Sequence, residues 1–210
     1  MSNIIILAGS ERKDGNTDML VDAFKKGAAK KNKVEVISVR SHDINPCIGC
    51  NSCFTRLGNE CFQKDDMQIV YEKLKTADIL VIASPVYFYG ISAQLKAIID
   101  RLHTPMRNEF PIKKLALILV GAATLPELFD SIKLQYRLVL SFFHLEDAGM
   151  VLVQGAKGIF RHGSTSSFKT EAAGYDTFGS DAAGNFRRGV ITADSEYSCH
   201  CSQIEGTFLF

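Results

Sequence analysis

The chain lacks a large net charge and a long apolar run. Its 24 lysines and arginines nearly balance its 23 aspartates and glutamates, so there is no basic excess that would indicate nucleic-acid binding. No apolar run approaches the roughly 18 residues of a membrane-spanning helix. The run from Ile4 to Ala8 is too short for a secretory signal. We therefore expect a cytoplasmic protein that binds neither nucleic acid nor a membrane.

Two common phosphate-binding motifs are also missing. The loop from Gly9 to Gly15 contains no Gly-x-Gly-x-x-Gly, and no Lys-Ser/Thr pair follows it, as a Walker A motif would require. The loop does follow an apolar strand and precede a helix, and such a helix N-terminus favours anions. It offers hydroxyl, amide and guanidinium groups on Ser10, Arg12, Asn16 and Thr17. This composition suits a phosphomonoester held without a metal, and the alternative is an ordinary strand-to-helix turn.

Apolar segments of two kinds alternate along the first 153 residues. Five short runs rich in Ile, Leu and Val predict buried strands at Ile4–Ala8, Val34–Val39, Ile79–Ser84, Leu115–Gly121 and Met150–Val153. Four stripes with helical spacing lie between them, and the last follows a capping-box pattern from Thr124 to Glu127. This alternation predicts a single α/β domain with a parallel sheet covered on both faces.

Ligands of such sheets bind at the carboxyl ends of the strands. The loop from Ser84 to Gly90 should therefore face the same crevice as the loop after the first strand. It carries three consecutive aromatic side chains, those of Tyr87, Phe88 and Tyr89. Aromatic surface beside backbone donors suits a flat conjugated ring. The alternatives are that these aromatics cover the core or contact another subunit.

Three motifs in this order resemble those of the flavodoxin-like NAD(P)H-dependent FMN reductases, and of the iron–sulfur flavoproteins among them. The motifs are Gly-Ser-x-Arg-x-x-Gly-Asn-Thr from Gly9, Ser-Pro-Val-Tyr-Phe from Ser84, and Leu-Lys-Ala-Ile-Ile-Asp-Arg from Leu95. The resemblance covers roughly residues 3 to 155. It implies a flavodoxin-like, doubly wound parallel sheet of five strands in the order 2-1-3-4-5, with one FMN per subunit.

The resemblance also implies roles for individual residues. The residues that would hold the FMN phosphate are Ser10, Arg12, Gly15, Asn16 and Thr17. Those that would lie along the isoalloxazine are Pro85, Val86, Tyr87 and Phe88, and Gly121 would close the site. Asp100 and Arg101 are expected to be structural, as an exposed helix-end pair or a support for the following loop.

The expected function is that of an FMN-dependent NAD(P)H oxidoreductase. Electrons would pass from NAD(P)H, as substrate, to a quinone, an azo or nitro compound, or a flavin. The flavin N5 would carry the chemistry, so no side chain is expected to be catalytic. One alternative is an iron–sulfur flavoprotein that carries electrons between redox proteins. Another is a nucleotide-binding regulatory domain without flavin.

Four of the six cysteines lie within 15 residues, at Cys47, Cys50, Cys53 and Cys61. Four thiolates can hold an iron–sulfur cluster or a tetrahedral zinc ion. The compact spacing resembles that of the iron–sulfur flavoproteins, which favours [4Fe–4S] over zinc. Bare reduced thiols are the third alternative, and all three stay open. Cys199 and Cys201 are too remote in sequence to join the set.

The character of the chain changes near its end. We expect the flavodoxin-like FMN-binding domain to span residues 1–156, and residues 157–210 to form an atypical, irregular extension rich in Gly and Ser. The resemblance implies a homodimer or homotetramer. Candidate subunit contacts are the loop from Leu102 to Pro111 and the pair Phe142 and Phe143.

Overall fold

The computed structural model describes residues 1–158 and 189–192. Within them lie six strands: β1 (Asn3–Ala8), β2 (Lys33–Ser38), β3 (Ile79–Pro85), β4 (Lys114–Val120), β5 (Glu146–Gln154) and β6 (Gly189–Thr192). All neighbouring pairs are parallel, and the sheet order is β2-β1-β3-β4-β5-β6. The predicted order 2-1-3-4-5 is confirmed, and β6 adds a strand beyond β5.

Helices cover both faces of this sheet. They are α1 (Asn16–Ala28), α2 (Met67–Leu74), α3 (Ala93–Asp100) and α4 (Asp130–Phe143). Short 3₁₀ turns span Val39–Ser41, Ser52–Phe54, Leu57–Asn59 and Pro105–Glu109. α1 packs in one apolar cluster, whereas α2, α3 and α4 contribute to the cluster on the opposite face. None of the helices in the described ranges is long and apolar enough to cross a membrane.

The central strands are apolar on both faces because both faces are covered. In β1, Ile5 and Leu7 join the cluster with α2, α3 and α4, while Ile4 and Ile6 join the cluster with α1. Successive strand residues point to opposite faces, so an amphipathic pattern would leave polar groups in one of the clusters. The near-continuous run of apolar residues therefore indicated a central strand.

The capping-box prediction for α4 is wrong. The helix begins at Asp130 rather than after Thr124, and no side chain caps its first turn. Leu128 and Phe129 are instead buried just before the helix. Leu128 packs so tightly on Gly121 that a Cβ there would lie 2.5 Å from Leu128 Cδ2. The tertiary packing of Leu128 and Phe129 thus overrides the local capping preference of Thr124.

The prediction of an irregular segment after residue 156 needs one correction. Residues Gly189–Thr192 form β6, which pairs with Val151, Leu152, Val153 and Gln154 of β5. Three of its four residues are β-branched, and such residues favour strands. The ranges 159–188 and 193–210, with Cys199 and Cys201, lie outside the described residues.

Candidate functional site at the carboxyl edge of the sheet

The loops after β1, β3 and β4 lie side by side because these strands are neighbours. The Gly9 N–H donates to the Ala83 carbonyl at 2.8 Å, which joins the first loop to β3. The Val86 N–H donates to the Val120 carbonyl at 2.7 Å, which joins the second loop to β4. The edge of the sheet therefore brings together the loops that the sequence singled out.

The first turn of α1 has no side-chain cap. Gly15 occupies the N-cap position and has no side chain that could cap the first turn. The first N–H groups of a helix have no intrahelical acceptor, and the helix dipole adds partial positive charge at that end. An anion bound at the start of α1 would satisfy both conditions.

The five residues predicted to hold a phosphate surround this helix start. Ser10 and Thr17 are buried, with 4% and 3% of their surfaces exposed. The Ser10 hydroxyl lies 3.2 Å from both the N–H and the carbonyl of Arg12. The Arg12 side chain is exposed, and Asn16 donates through Nδ2 to the Gly158 carbonyl at 2.6 Å. Gly15 lies between the loop and the helix.

Arg40 supports this loop from behind, a role that was not predicted from the sequence. Its Nη1 donates to the carbonyls of Ser10 and Arg12, both at 2.8 Å. Its Nη2 pairs with Asp18 in the first turn of α1 at 3.0 Å. Asp18 also accepts from the Asp14 N–H at 2.9 Å. Arg40 thus fixes the carbonyls of Ser10 and Arg12 and compensates the charge of Asp18.

The signal for Arg40 was present but weak. Arg40 follows β2, and β2 is the neighbour of β1 in the predicted order. A cation at the carboxyl end of β2 therefore lies beside the loop after β1. Sequence alone does not reveal whether such a side chain points toward that loop or into solvent.

The aromatic loop after β3 forms a tight hairpin. Tyr87 and Gly90 exchange hydrogen bonds of 2.9 and 3.0 Å between their N–H and carbonyl groups. Phe88 and Tyr89 at the tip have φ angles of 48° and 63°, a left-handed region that bulky residues rarely adopt. The Phe88 side chain is 98% exposed and that of Tyr87 is 47% exposed. The loop presents aromatic surface at the rim of the crevice, supported by a strained turn.

The base of this hairpin is rigidly held. The Ser84 hydroxyl donates to the Pro85 carbonyl at 2.8 Å and accepts from the Ser92 N–H at 3.0 Å. Ser92 is the N-cap of α3 and accepts from the Leu95 N–H. Directly after β4, the Gly121 N–H donates to the Val153 carbonyl at 2.8 Å. Pro85, Val86 and Gly121 therefore occupy fixed backbone positions along the crevice.

The four clustered cysteines lie in a long loop between β2 and α2. We call residues 46–64 the cysteine loop. Cys47 and Cys50 are exposed, Cys53 and Cys61 are partly buried, and all four thiols are free. Their hydrogen bonds are local ones: for example, the Cys47 sulfur accepts from the Gly49 N–H at 3.4 Å. Among residues 1–158, no three His, Cys, Asp or Glu side chains are gathered as a metal site would require.

One thiol of this loop is electrostatically biased toward its ionised form. The Ser52 hydroxyl lies 3.3 Å from the Cys50 sulfur. This hydrogen bond, followed by one from the Ser52 backbone, lowers the pKa of the Cys50 thiol. Hydrogen bonds to a thiolate stabilise it, and the thiolate is the form that binds metals.

A buried ion pair lies at the base of the cysteine loop. The side chains of Arg101 and Asp65 are 2% and 3% exposed, and Arg101 Nη1 lies 2.5 Å from Asp65 Oδ2. Of the two structural roles expected for Asp100 and Arg101, the exposed helix-end pair is wrong for Arg101, which is buried. Asp100 is exposed and pairs with Lys96 of the same helix. Arg101 turns inward, where the Asp65 carboxylate and the Asn45 carbonyl accept its hydrogen bonds.

The pKa values of this pair reflect their partnership. Burial raises the pKa of Asp65, but hydrogen bonds from Arg101 and from two backbone N–H groups outweigh burial and lower it. For Arg101, burial lowers the pKa, whereas the Asp65 hydrogen bond and then the charge of a Cys61 thiolate raise it overall. Both groups stay ionised, and Cys61 lies within electrostatic range of the guanidinium.

Tyr71 extends this buried network. Its hydroxyl donates to the Arg101 carbonyl at 2.9 Å. Burial is the main cause that raises the pKa of Tyr71 to about 12. The phenol therefore remains a hydrogen-bond donor across the neutral range, beneath the cysteine loop.

A cavity of about 610 Å³ lies away from the crevice, beside α3 and α4. Its lining is mostly apolar and includes Leu138, Phe142 and Phe143. The Arg107 guanidinium stacks 5.1 Å from the centre of the Phe142 ring. None of the residues predicted to bind FMN lines this cavity.

The strand order and the edge loops define a flavodoxin-like protein. The chain matches the family of NADPH-dependent FMN reductases over residues 2–163, and it belongs to that family. It is 40% identical to an iron–sulfur flavoprotein of Methanocaldococcus jannaschii over 111 residues, which are 52% of this chain and 56% of that protein. The chain spans about half the length of these iron–sulfur flavoproteins.

Solved structures share the fold at low sequence identity. The NAD(P)H:quinone oxidoreductase of Methanothermobacter marburgensis superposes with a TM-score of 0.58 at 17% identity, covering 73% of this chain and 87% of that one. An FMN-dependent NADH-azoreductase of Bacillus anthracis, in complex with FMN, gives 0.52 at 15% identity, covering 74% and 88%. These similarities establish the flavodoxin-like fold of this chain.

Proposed function

We propose that this protein is an FMN-dependent NAD(P)H oxidoreductase that reduces a quinone, an azo or nitro compound, or a flavin. One observation carries the proposal: an uncapped helix start with buried hydroxyls lies at the same sheet edge as an exposed aromatic hairpin. An FMN molecule has a dianionic phosphate at one end and a flat ring at the other. The crevice offers a matching group for each end.

The phosphate would bind at the start of α1. The first-turn N–H groups supply neutral donors, Ser10 and Thr17 supply buried hydroxyls, and the exposed Arg12 supplies a mobile charge. Gly15 lets the phosphate approach the backbone, and Asn16 borders it. This donor set needs no metal ion, because backbone dipoles and one guanidinium compensate the phosphate charge.

The isoalloxazine would lie along the hairpin after β3. Pro85 and Val86 fix its floor, Tyr87 and Phe88 provide aromatic surface, and Gly121 borders the far side. When bound, FMN supplies the hydride-accepting and electron-donating chemistry. The protein's part is to orient the ring, exclude water from one face, and leave the other face open to the nicotinamide and then to the acceptor.

The test is flavin uptake followed by turnover. We expect purified protein to bind about one FMN per chain and to oxidise NADPH or NADH anaerobically when a quinone or an azo dye is added. Thr17→Val, which keeps side-chain shape but removes a buried hydroxyl, should weaken FMN binding about tenfold. Thr55→Val in the cysteine loop is the matched control and should not. Protein that takes up no FMN would contradict the proposal.

We also propose that the cysteine loop holds a [4Fe–4S] cluster. Four thiols suit this cluster in number and kind, and the similar protein of M. jannaschii is an iron–sulfur flavoprotein by name. In the free chain the thiols are dispersed, so metal binding would have to draw Cys47, Cys50, Cys53 and Cys61 together. A bound cluster would favour the second candidate function, an electron carrier between redox proteins.

Anaerobic reconstitution with iron and sulfide tests the cluster. We expect a broad absorption near the flavin bands and about four iron atoms per chain. Replacing Cys53 by Ser should abolish both, whereas Ser52→Ala should retain them. Binding of zinc alone, or no metal at all, would contradict the cluster. Turnover that requires an added redox protein would favour the carrier over the enzyme.

We infer a homodimer or homotetramer assembled through α4. Leu134, Leu138 and Phe142 recur every four residues on one side of this helix and are 52%, 62% and 51% exposed. Such a stripe, beside an apolar cavity, is typical of a subunit contact. Leu138→Glu should shift the mass in light scattering to the monomer, and Lys26→Glu on α1 should not. A monomeric parent protein would contradict the inference.

We propose a cytoplasmic location for the same protein. Clustered cysteines that remain free thiols are typical of a reducing compartment such as the cytoplasm. Fractionation of cells that express the protein would test this.

A further inference from the structure

Both ends of the cysteine loop are held by one side chain. Arg101 Nη1 donates to the carbonyl of Asn45, just before the loop, at 3.1 Å, and to Oδ2 of Asp65, just after it, at 2.5 Å. The same Asp65 oxygen accepts from the Asn45 N–H at 2.9 Å. A single planar guanidinium therefore closes a loop of 19 residues, 46 to 64.

A second pair of hydrogen bonds reinforces this closure. The Asp66 carboxylate accepts from the Asp43 N–H at 2.8 Å, and the Asp66 N–H donates to the Asp43 carbonyl at 3.0 Å. We call Asp43, Asn45, Asp65 and Asp66 the stem of the cysteine loop. Holding the ends of a long loop together removes part of the entropy that would oppose gathering its side chains.

The far side of the loop rests on the segment after α3. The Thr104 hydroxyl donates to the Asn59 carbonyl at 3.1 Å. The ring of Phe54 lies 5.8 Å from that of His103. The residues from Arg101 to Thr104 thus form the surface against which the cysteine loop is placed.

One donor of this surface is unused. The Nε of Arg101 is buried and has no hydrogen-bond partner among the described residues. A buried N–H without an acceptor is destabilising, so the Arg101 guanidinium has one more hydrogen bond to offer at this surface.

We propose that Arg101 is a positioning residue for the cysteine loop: it fixes the stem so that the four thiols can close on one metal centre. The role of Arg101 in fixing the stem is supported by its hydrogen bonds to Asn45 and Asp65. The metal part rests on the cluster proposed for the cysteine loop. Lysine is not expected to replace Arg101, because its ammonium ends one bond closer to the backbone than the Nη1 atom that reaches both Asn45 and Asp65.

Hydrogen–deuterium exchange on the iron-free, FMN-loaded protein tests the stem. In Arg101→Lys, peptides covering residues 43–66 should exchange at least tenfold faster than in the parent protein. Lys96→Met is the matched control, because it breaks an exposed ion pair on the same helix, and it should leave these peptides unchanged. Equal protection in the parent protein and Arg101→Lys would overturn the proposal.

Reconstitution with iron and sulfide tests the metal part. Arg101→Lys should hold less than half the iron of the parent protein while binding the same amount of FMN. Equal iron in both would overturn the metal part, and a parallel loss of iron and FMN would show general unfolding and overturn it as well. A parent protein that takes up no iron would defeat the cluster, and the exchange experiment would still decide the role of Arg101.

A second variant guards against misfolding. Removing one member of a buried ion pair leaves an uncompensated charge, whereas removing both avoids it. The double variant Arg101→Gln with Asp65→Asn should therefore fold. It lacks the guanidinium that joins Asn45 to residue 65. Faster exchange of residues 43–66 in this double variant supports the proposal, and parent-like exchange opposes it.

Discussion

Two loops, residues 9–15 and the cysteine loop, are each supported by an arginine from a neighbouring element, but to different degrees. We call residues 9–15 the phosphate loop, after the ligand proposed for it. Arg40 reaches two carbonyls of the short loop after β1, where a strand and a helix already fix both ends. Arg101 reaches both ends of the cysteine loop, whose interior has only short 3₁₀ turns. The first site is organised by secondary structure and the second by side chains at its base.

This difference determines what each site needs from its ligand. At the start of α1 the donors already lie together, so the proposed phosphate would need little rearrangement of the site. In the cysteine loop the ends are fixed but the thiols are dispersed, so a metal would have to complete the arrangement. We expect the buried ion pair under the cysteine loop to dominate stability, and Arg40 to act mainly on ligand binding.

The largest effect should come from breaking the ion pair on one side. Asp65→Asn leaves the buried Arg101 charge uncompensated, and we expect it to lower the free energy of unfolding by about 3 kcal/mol. Urea unfolding of the iron-free protein measures this. The control is Asp100→Asn, whose exposed pair should contribute about 0.5 kcal/mol or less. Equal effects of the two substitutions would remove the contrast between the loops.

Crowding at the phosphate loop should have the next largest effect. A Cβ at Gly9 would lie 2.7 Å from Leu95 Cδ2 and 2.8 Å from Ser92 Oγ. Gly9→Ala should therefore destabilise the flavin-free protein by about 2 kcal/mol through overpacking. Gly15→Ala is the control: its Cβ would meet Arg12 Cβ at 3.4 Å, and we expect less than about 1 kcal/mol. Equal losses of unfolding free energy for Gly9→Ala and Gly15→Ala would show that crowding is not specific to Gly9.

Removal of Arg40 should weaken FMN binding without unfolding the protein. Arg40→Met loses two charge-assisted hydrogen bonds to loop carbonyls, and we expect the Kd for FMN to rise about tenfold, or ~1.4 kcal/mol. Fluorescence titration of FMN measures it. Lys26→Met removes the same charge on the exposed part of α1 and should leave the Kd nearly unchanged. A parallel weakening in both would reduce the role of Arg40 to net charge.

The smallest effect should be a pH dependence under the cysteine loop. The pKa of Tyr71 is raised to about 12 in the folded protein, whereas an unfolded tyrosine ionises near 10. Its stabilising contribution is therefore complete below about pH 10 and declines as the pH rises toward the folded value, by about 1 kcal/mol at pH 11. Tyr71→Phe should lack this decline in alkaline urea titrations, and an identical decline would refute the assignment.

The fold could be predicted in large part because its signals are local. Continuous apolar runs marked β1, β3 and β4, and helical spacing marked α1 and α2. The boundaries of α4 and the presence of β6 could not be predicted in the same way. The start of α4 depends on how Leu128 packs against Gly121, seven residues earlier, and β6 gains its hydrogen bonds from β5.

The candidate site divides along the same line. The glycine, hydroxyl and aromatic residues of the edge loops could be proposed as one site from the sequence, because the order of the motifs matches the predicted order of the strands. Arg40, Asp18 and Asp65 were missed because their partners are 22 to 36 residues away in sequence. A charged side chain near a strand end carries no local sign of the direction in which it points.

Residue type and short-range spacing are enough to predict the alternation of strands and helices, the loops at the carboxyl edge and the presence of four clustered thiols. The positions of Arg40 behind the phosphate loop and of Arg101 at the base of the cysteine loop depend on how distant segments pack. The physical reason is that burying a guanidinium requires acceptors from separate segments, and those segments become neighbours only when the sheet has formed.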